Sequence, residues 1–134
     1  MTRITLDTNE WVGAFNFGGQ ALSLIHDAIA GDVEIAISEP IIQETLRVLR
    51  EKFDWQPYRL QTLGERLRKI CTLVEPKQTE TVLADEPDNR ILECAKESAS
   101  DFIVTEDGAM LRIKQFEGIP IMAMREFLGR GPER

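Results

Sequence analysis

Ile4-Thr5-Leu6-Asp7-Thr8-Asn9 is the stretch on which the fold turns. A β-branched and apolar run rises from the N-terminus and stops at an acid, a hydroxyl and an amide, with helix-like sequence from Glu10. A short run of this kind reads as a buried parallel strand. Ligands of open α/β sheets bind just outside the carboxyl ends of such strands, which is where Asp7 stands. An ordinary strand-to-helix turn, with Asp or Asn capping the next helix, reads the same way. The two readings separate only if similar acids recur at matching places.

Outward from this strand the chain alternates. Glu10 to Phe15 reads as a short helix broken by Asn16-Phe17-Gly18-Gly19, and a second helix runs from Gln20 to about Ala30 on the 3.6-residue spacing of Ala21, Leu24, Ile25, Ala28 and Ile29. Val33 to Ile37 is a second strand, followed by Ser38 as a cap and Pro40 just inside the next helix. That helix reaches Phe53 with a broad apolar face, and another spans Pro57 to about Cys71. A short strand at Thr72 to Glu75, a polar loop at Lys77 to Glu86 and a helix from Pro87 to Ala99 follow. The remainder gives a strand at Phe102 to Thr105, a helix at Ala109 to Ile113, a last strand at Ile119 to Met122 and a terminal helix at Arg125 to Leu128. The pattern predicts one three-layer α/β/α sandwich with a mainly parallel central sheet over residues 1–129, and a C-terminal tail at 130–134.

The 134 residues suffice for a core without staples, and 43% hydrophobic with 29% charged residues is ordinary globular composition. No apolar run approaches the roughly 20 residues that span a bilayer, and the N-terminus lacks the basic and apolar regions of a signal peptide, so a cytoplasmic location is expected. Cys71 and Cys94 have no CxxC pattern and read as small buried hydrophobes. His26 is the only histidine and lies on a helical pattern, which excludes a histidine-rich zinc site; no nucleophile signature accompanies it. A net charge of −7 argues against nonspecific coating of nucleic acid, but not against an enzyme whose acids hold cations.

Acids do recur. Asp107 follows the strand Phe102-Ile103-Val104-Thr105 by two positions, although Glu106-Asp107-Gly108 is also good turn sequence. Asp88 lies three residues before Ile91 on the inward stripe of its helix, where an unpaired carboxylate is costly; first-turn stabilisation of the helix dipole is the plainer role. Glu44 sits on the first turns of the helix after the second strand, and alone would pass for a solvated flank. Four carboxylates at one rim would repel and raise one another's pKa unless a cation neutralised them. Oxygen donors without Cys or His favour Mg²⁺ or Mn²⁺, which can activate water and steady a phosphodiester.

Together these residues resemble those of a PIN domain, in particular the PIN-type toxins of bacterial and archaeal toxin–antitoxin systems. Asp7-Thr8-Asn9 looks like the family's opening motif, and Glu44 with Val48-Leu49 is similar to its helical glutamate. Asp85-Glu86-Pro87-Asp88-Asn89-Arg90-Ile91-Leu92-Glu93-Cys94-Ala95 is close to its central acidic motif, and Val104-Thr105-Glu106-Asp107 to its fourth. Ile119-Pro120-Ile121 through Glu126-Phe127-Leu128 resembles the closing strand and helix. The resemblance implies a Mg²⁺- or Mn²⁺-dependent endoribonuclease acting on RNA, inhibited by a cognate antitoxin and often a homodimer, with no membrane partner. It implies Asp7, Glu44, Asp88 and Asp107 as metal ligands, Asn9 and Thr105 in support, and Asp85 as a near neighbour. Ala109 stands where many relatives have a further acid, which implies a weaker hold on a second ion. Candidate RNA contacts are Arg47, Arg50, Lys52, Arg59, Arg66, Arg68, Lys69, Arg112 and Lys114.

Two other readings compete. An aspartyl phosphatase calls for a second acid two residues after the first, and Asn9 occupies that place; a receiver domain lacks its paired acids in the same way. A non-enzymatic interaction domain would keep the acids but bind metal too weakly to matter.

Overall fold

Arg3–Leu6 (β1) lies inside a six-stranded sheet, with Glu34–Ser38 (β2) on one side and Phe102–Val104 (β4) on the other. Thr72–Val74 (β3) flanks β2, and Ile119–Met122 (β6) then Gln115–Phe116 (β5) continue beyond β4. Every pairing is parallel except that of β5 with β6. The register sets Ile4 beside Ile35 and Phe102, and Leu6 beside Val104. Ile4, Thr5 and Leu6 are fully buried, as a strand covered on both faces must be.

This is a computed structural model, and it describes residues 1–130. Positions 131–134 of the expected tail lie outside the described residues. Thr8–Phe17 (α1) and Gly19–Ile29 (α2) join β1 to β2, Glu39–Phe53 (α3) and Pro57–Ile70 (α4) join β2 to β3, and Glu86–Ser98 (α5) joins β3 to β4. Gly108–Ile113 (α6) follows β4, and Met124–Leu128 (α7) follows β6. The chain moves outward from β1 to β3 and then returns across the sheet to β4. Right-handed crossovers therefore place α1 to α4 on one face and α5 on the other, which makes the three layers. No helix among the described residues is long and apolar enough to cross a membrane.

Local chemistry sets the boundaries. The helix that the sequence ends near Phe15 runs to Phe17, because only at Gly18 does the backbone turn to φ 78°, its N–H bonding back to the Gly13 and Ala14 carbonyls. Pro40 fits the first turn of α3, where its missing N–H costs nothing. The two-residue strand β5 is not foreseen by the pattern. It pairs with β6 through Glu117-Gly118, both at positive φ, a two-residue hairpin loop whose strand is too short to carry a period-two signal.

The core gathers Ile4, Leu6, Trp11, Ile35, Ile37, Leu49, Ile91, Leu92 and Ile103, all essentially inaccessible. Ile91→Ala is expected to cost about 2–5 kcal/mol in urea unfolding, whereas Val82→Ala, at 52% exposure, changes stability by less than about 0.5 kcal/mol.

Candidate active site

The sheet order reverses between β1 and β4, so the crevice at their carboxyl ends is the switch point at which open α/β sheets take ligands. Asp7 leaves β1 there, its N–H donating to the Val104 carbonyl at 3.0 Å. Thr105, fully buried after β4, donates its hydroxyl to Asp7 Oδ2 at 2.7 Å and accepts the Asp107 N–H at 2.9 Å, so one side chain ties both acids together. Asp107 Oδ2 in turn accepts the Met110 N–H at 3.0 Å and caps α6. Asp88 arrives from the first turn of α5, on the inward face that its spacing from Ile91 predicts.

Asp7 and Asp88 are only 4% and 8% exposed. Burial raises the Asp7 pKa; the Thr105 hydroxyl and the Thr8 and Asn9 amides pull it back, and the Asp107 charge pushes it up again. Asp88 is pushed up to about 7, by burial first and then by Asp7, Asp107 and Asp85. Its carboxylate has no hydrogen-bond or ion-pair partner among the described residues. None of the ion pairs of the described residues involves Asp7, Asp88 or Asp107.

The other sequence-predicted residues are placed differently. Glu44 is folded back on Arg47, which donates to it at 2.7 and 3.0 Å, and its charge is not among those that shift Asp7 or Asp88. Asn9 has an exposed side chain, and only its backbone amide bears on Asp7. Asp85 is exposed at the N-cap of α5 and acts on Asp88 by charge. Two acids were missed. Glu10 is pushed up to about 7 by burial, Glu106 and Asp7, and Glu106 accepts the Met124 N–H at 2.8 Å. Glu10 lies in the first turn of α1, three residues after the N-cap Asp7.

A sequence model described as the PIN domain matches residues 3–109. The chain belongs to the PIN domain family. The comparison with curated proteins returned no match. Among solved structures, this PIN domain is similar to a chain described as "VapBC2 from Rickettsia felis bound to a DNA fragment from their promoter". The identity is 15%, covering 90% of this chain and 97% of that one, with a TM-score of 0.62, a likeness of fold. PIN domains are in general nucleases and typically use divalent metals.

The donor set of this PIN domain suits such an ion. It is all oxygen, mutually repelling and, at Asp88, buried without a partner. Among the described residues no three His, Cys, Asp or Glu side chains stand close enough to chelate an ion as they are, an open spacing in keeping with the repulsion between uncompensated carboxylates.

Burial of Asp88, reinforced by that repulsion, fixes a pH dependence. A carboxyl whose folded pKa is raised from 3.8 to about 7 binds its proton more tightly in the folded state. Its favourable contribution is complete below about pH 4 and is lost as pH rises through 7. Asp88→Asn without metal is therefore expected to be more stable than the parent by roughly 1–3 kcal/mol at pH 8, and nearly equal to it at pH 4. Urea titrations at the two pH values measure this, and parallel pH dependences of the two proteins would refute the electrostatic account.

Proposed function

We propose that this PIN domain is a Mg²⁺- or Mn²⁺-dependent endoribonuclease, the toxin of a toxin–antitoxin pair acting in the cytoplasm. The observation that carries the nuclease reading is the convergence of Asp7, Asp88 and Asp107, from three separate segments, on the switch-point crevice without a cation to pair them. Asp7, Asp88 and Asp107 would hold the ion, and Glu44 would join them on leaving Arg47. A bound divalent ion would neutralise the carboxylates, lower the pKa of a coordinated water and steady the charge on the phosphodiester.

The chain's own groups prepare this. Thr105 fixes the Asp7 carboxylate through its hydroxyl. Arg112, on the helix that Asp107 caps, lays its guanidinium over Gly108 and makes no ion pair among the described residues, which leaves its charge available for an RNA phosphate. Calorimetric titration of Mn²⁺ should show saturable binding that Asp88→Asn loses, and the variant should cleave RNA at least roughly 100-fold more slowly while remaining folded. Cleavage at the parent rate by a folded Asp88→Asn protein would sink the reading.

An antitoxin partner needs a surface of its own. Between α2 and α4 a cavity of about 430 Å³ is lined by Phe15, Ile25, Ile29, Trp55, Leu63 and Ile70, with Arg59 and Arg66 on its rim. Arg59 rests on the Trp55 ring at 3.6 Å, and neither arginine makes an ion pair among the described residues. An amphipathic helix with carboxylates two turns apart would match the pair, which are separated by seven residues, about 10 Å along α4. A second copy docked face to face would set these guanidinium groups against themselves. An 18-residue peptide with a leucine stripe flanked by Glu should therefore bind at least about tenfold more tightly than its Lys counterpart, and Arg59→Glu/Arg66→Glu should reverse the order. Equal binding of the two peptides would remove the groove from the proposal.

A further inference from the structure

Residues 75–85 carry no helix or strand, and their backbone groups are met by side chains of α5. Glu97 accepts the Lys77 N–H at 3.1 Å, and Glu93 accepts the Glu80 N–H at 2.8 Å. Asn89 both accepts the Leu83 N–H and donates to the Leu83 carbonyl, each at 2.8 Å. Arg90 adds a bond to the Glu80 carbonyl at 3.3 Å while it pairs with Glu93. Loop positions 77, 80 and 83 climb as helix positions 97, 93 and 89 descend, so the loop runs antiparallel along one stripe of α5.

The strap tightens toward the crevice. Glu97 is exposed, Glu93 is 8% exposed and Asn89 is fully buried. Its carboxamide bonds both polar groups of one backbone residue, as a neighbouring strand would, and reaches Glu86 at 3.3 Å as well. Leu83 is two residues before Asp85, and Asn89 is one residue after Asp88. The Asp88 carboxylate has no hydrogen bond to hold it, so its place in the crevice depends on the backbone that Asn89 secures.

We infer that Asn89 is a positioning residue, whose clamp on Leu83 sets Asp85 and Asp88 at the crevice for cation binding. The inference rests on the metal-dependent reading of the site. Outer groups that orient metal ligands are typically worth 10–100-fold in affinity. Removal of the clamp in Asn89→Ala should weaken Mn²⁺ binding about tenfold and speed amide exchange at residues 80–84. Glu97→Ala, which frees only the far end of the strap, should leave the affinity unchanged.

Asn89→Asp separates position from charge and provides a second variant should Asn89→Ala not fold. It keeps an acceptor for the Leu83 N–H, loses both donors and adds a negative charge beside the site. Charge alone predicts tighter Mn²⁺ binding, whereas loss of position predicts weaker binding. The experiment is calorimetric titration of Mn²⁺ into the parent and all three variants, with melting curves to establish folding. Weaker binding by folded Asn89→Asp supports the inference; binding as tight as the parent's, or tighter, overturns it. A parent that binds no Mn²⁺ would overturn the metal reading and this inference together, whereas unaltered affinity in the variants would remove the inference alone.

Discussion

The structure depends on one unfavourable arrangement, the burial of like charges where the parallel sheet reverses its order. Asp7 and the Thr105-Glu106-Asp107 segment meet because β1 and β4 are neighbours although nearly a hundred residues separate them. The third member comes with α5, whose crossover must start at the same rim in order to return the chain to β4. Short strands with acids at their ends thus fix a cluster that no local interaction would assemble. Its cost is the rise in the pKa values of Asp88 and Glu10, each pushed up to about 7, by burial first and then by neighbouring carboxylates.

Several acids outside the crevice are paired with cations. Glu34 is paired with Arg3, Glu39 with Arg68, Glu93 with Arg90, and Glu117 with Lys96. Asp7, Asp88, Asp107, Glu10 and Glu106 have no such pair among the described residues, in a chain with sixteen basic side chains. Most of the surface pairs contribute little to stability. What sets the crevice apart is electrostatic: its acids raise one another's pKa with no cation among the described residues to pair them, a repulsion that an added cation would relieve.

Much of this was legible in the sequence, for reasons that differ by residue. Asp7 and Asp107 follow runs too apolar to be anything but buried strands, and the ends of such strands fix position. The burial of Asp88 is legible in helical spacing alone, since the face that buries Ile91 must bury it too. Glu44 was legible as a helix flank, and the structure keeps it there, held by an arginine three residues on, a pairing that local spacing already offers. Glu10 and Glu106 escaped because each lies beside a more conspicuous aspartate. The strap along α5 escaped because its bonds join side chains to loop backbone, and a loop without periodicity does not say which helix it follows.

Asp107 shows why the turn reading and the site reading need not exclude each other. Its Oδ2 caps α6 through the Met110 N–H, the task an aspartate after a strand ordinarily performs. A carboxylate offers about four acceptor positions over two oxygens, and the cap uses one. The bond fixes the side-chain rotamer, so the other oxygen is presented from a preset position without further ordering cost. Asp7 follows the same logic with Thr105 in place of a helix amide. Capping chemistry, which alone would argue against function, here orients the Asp107 carboxylate while leaving its second oxygen without a hydrogen bond among the described residues.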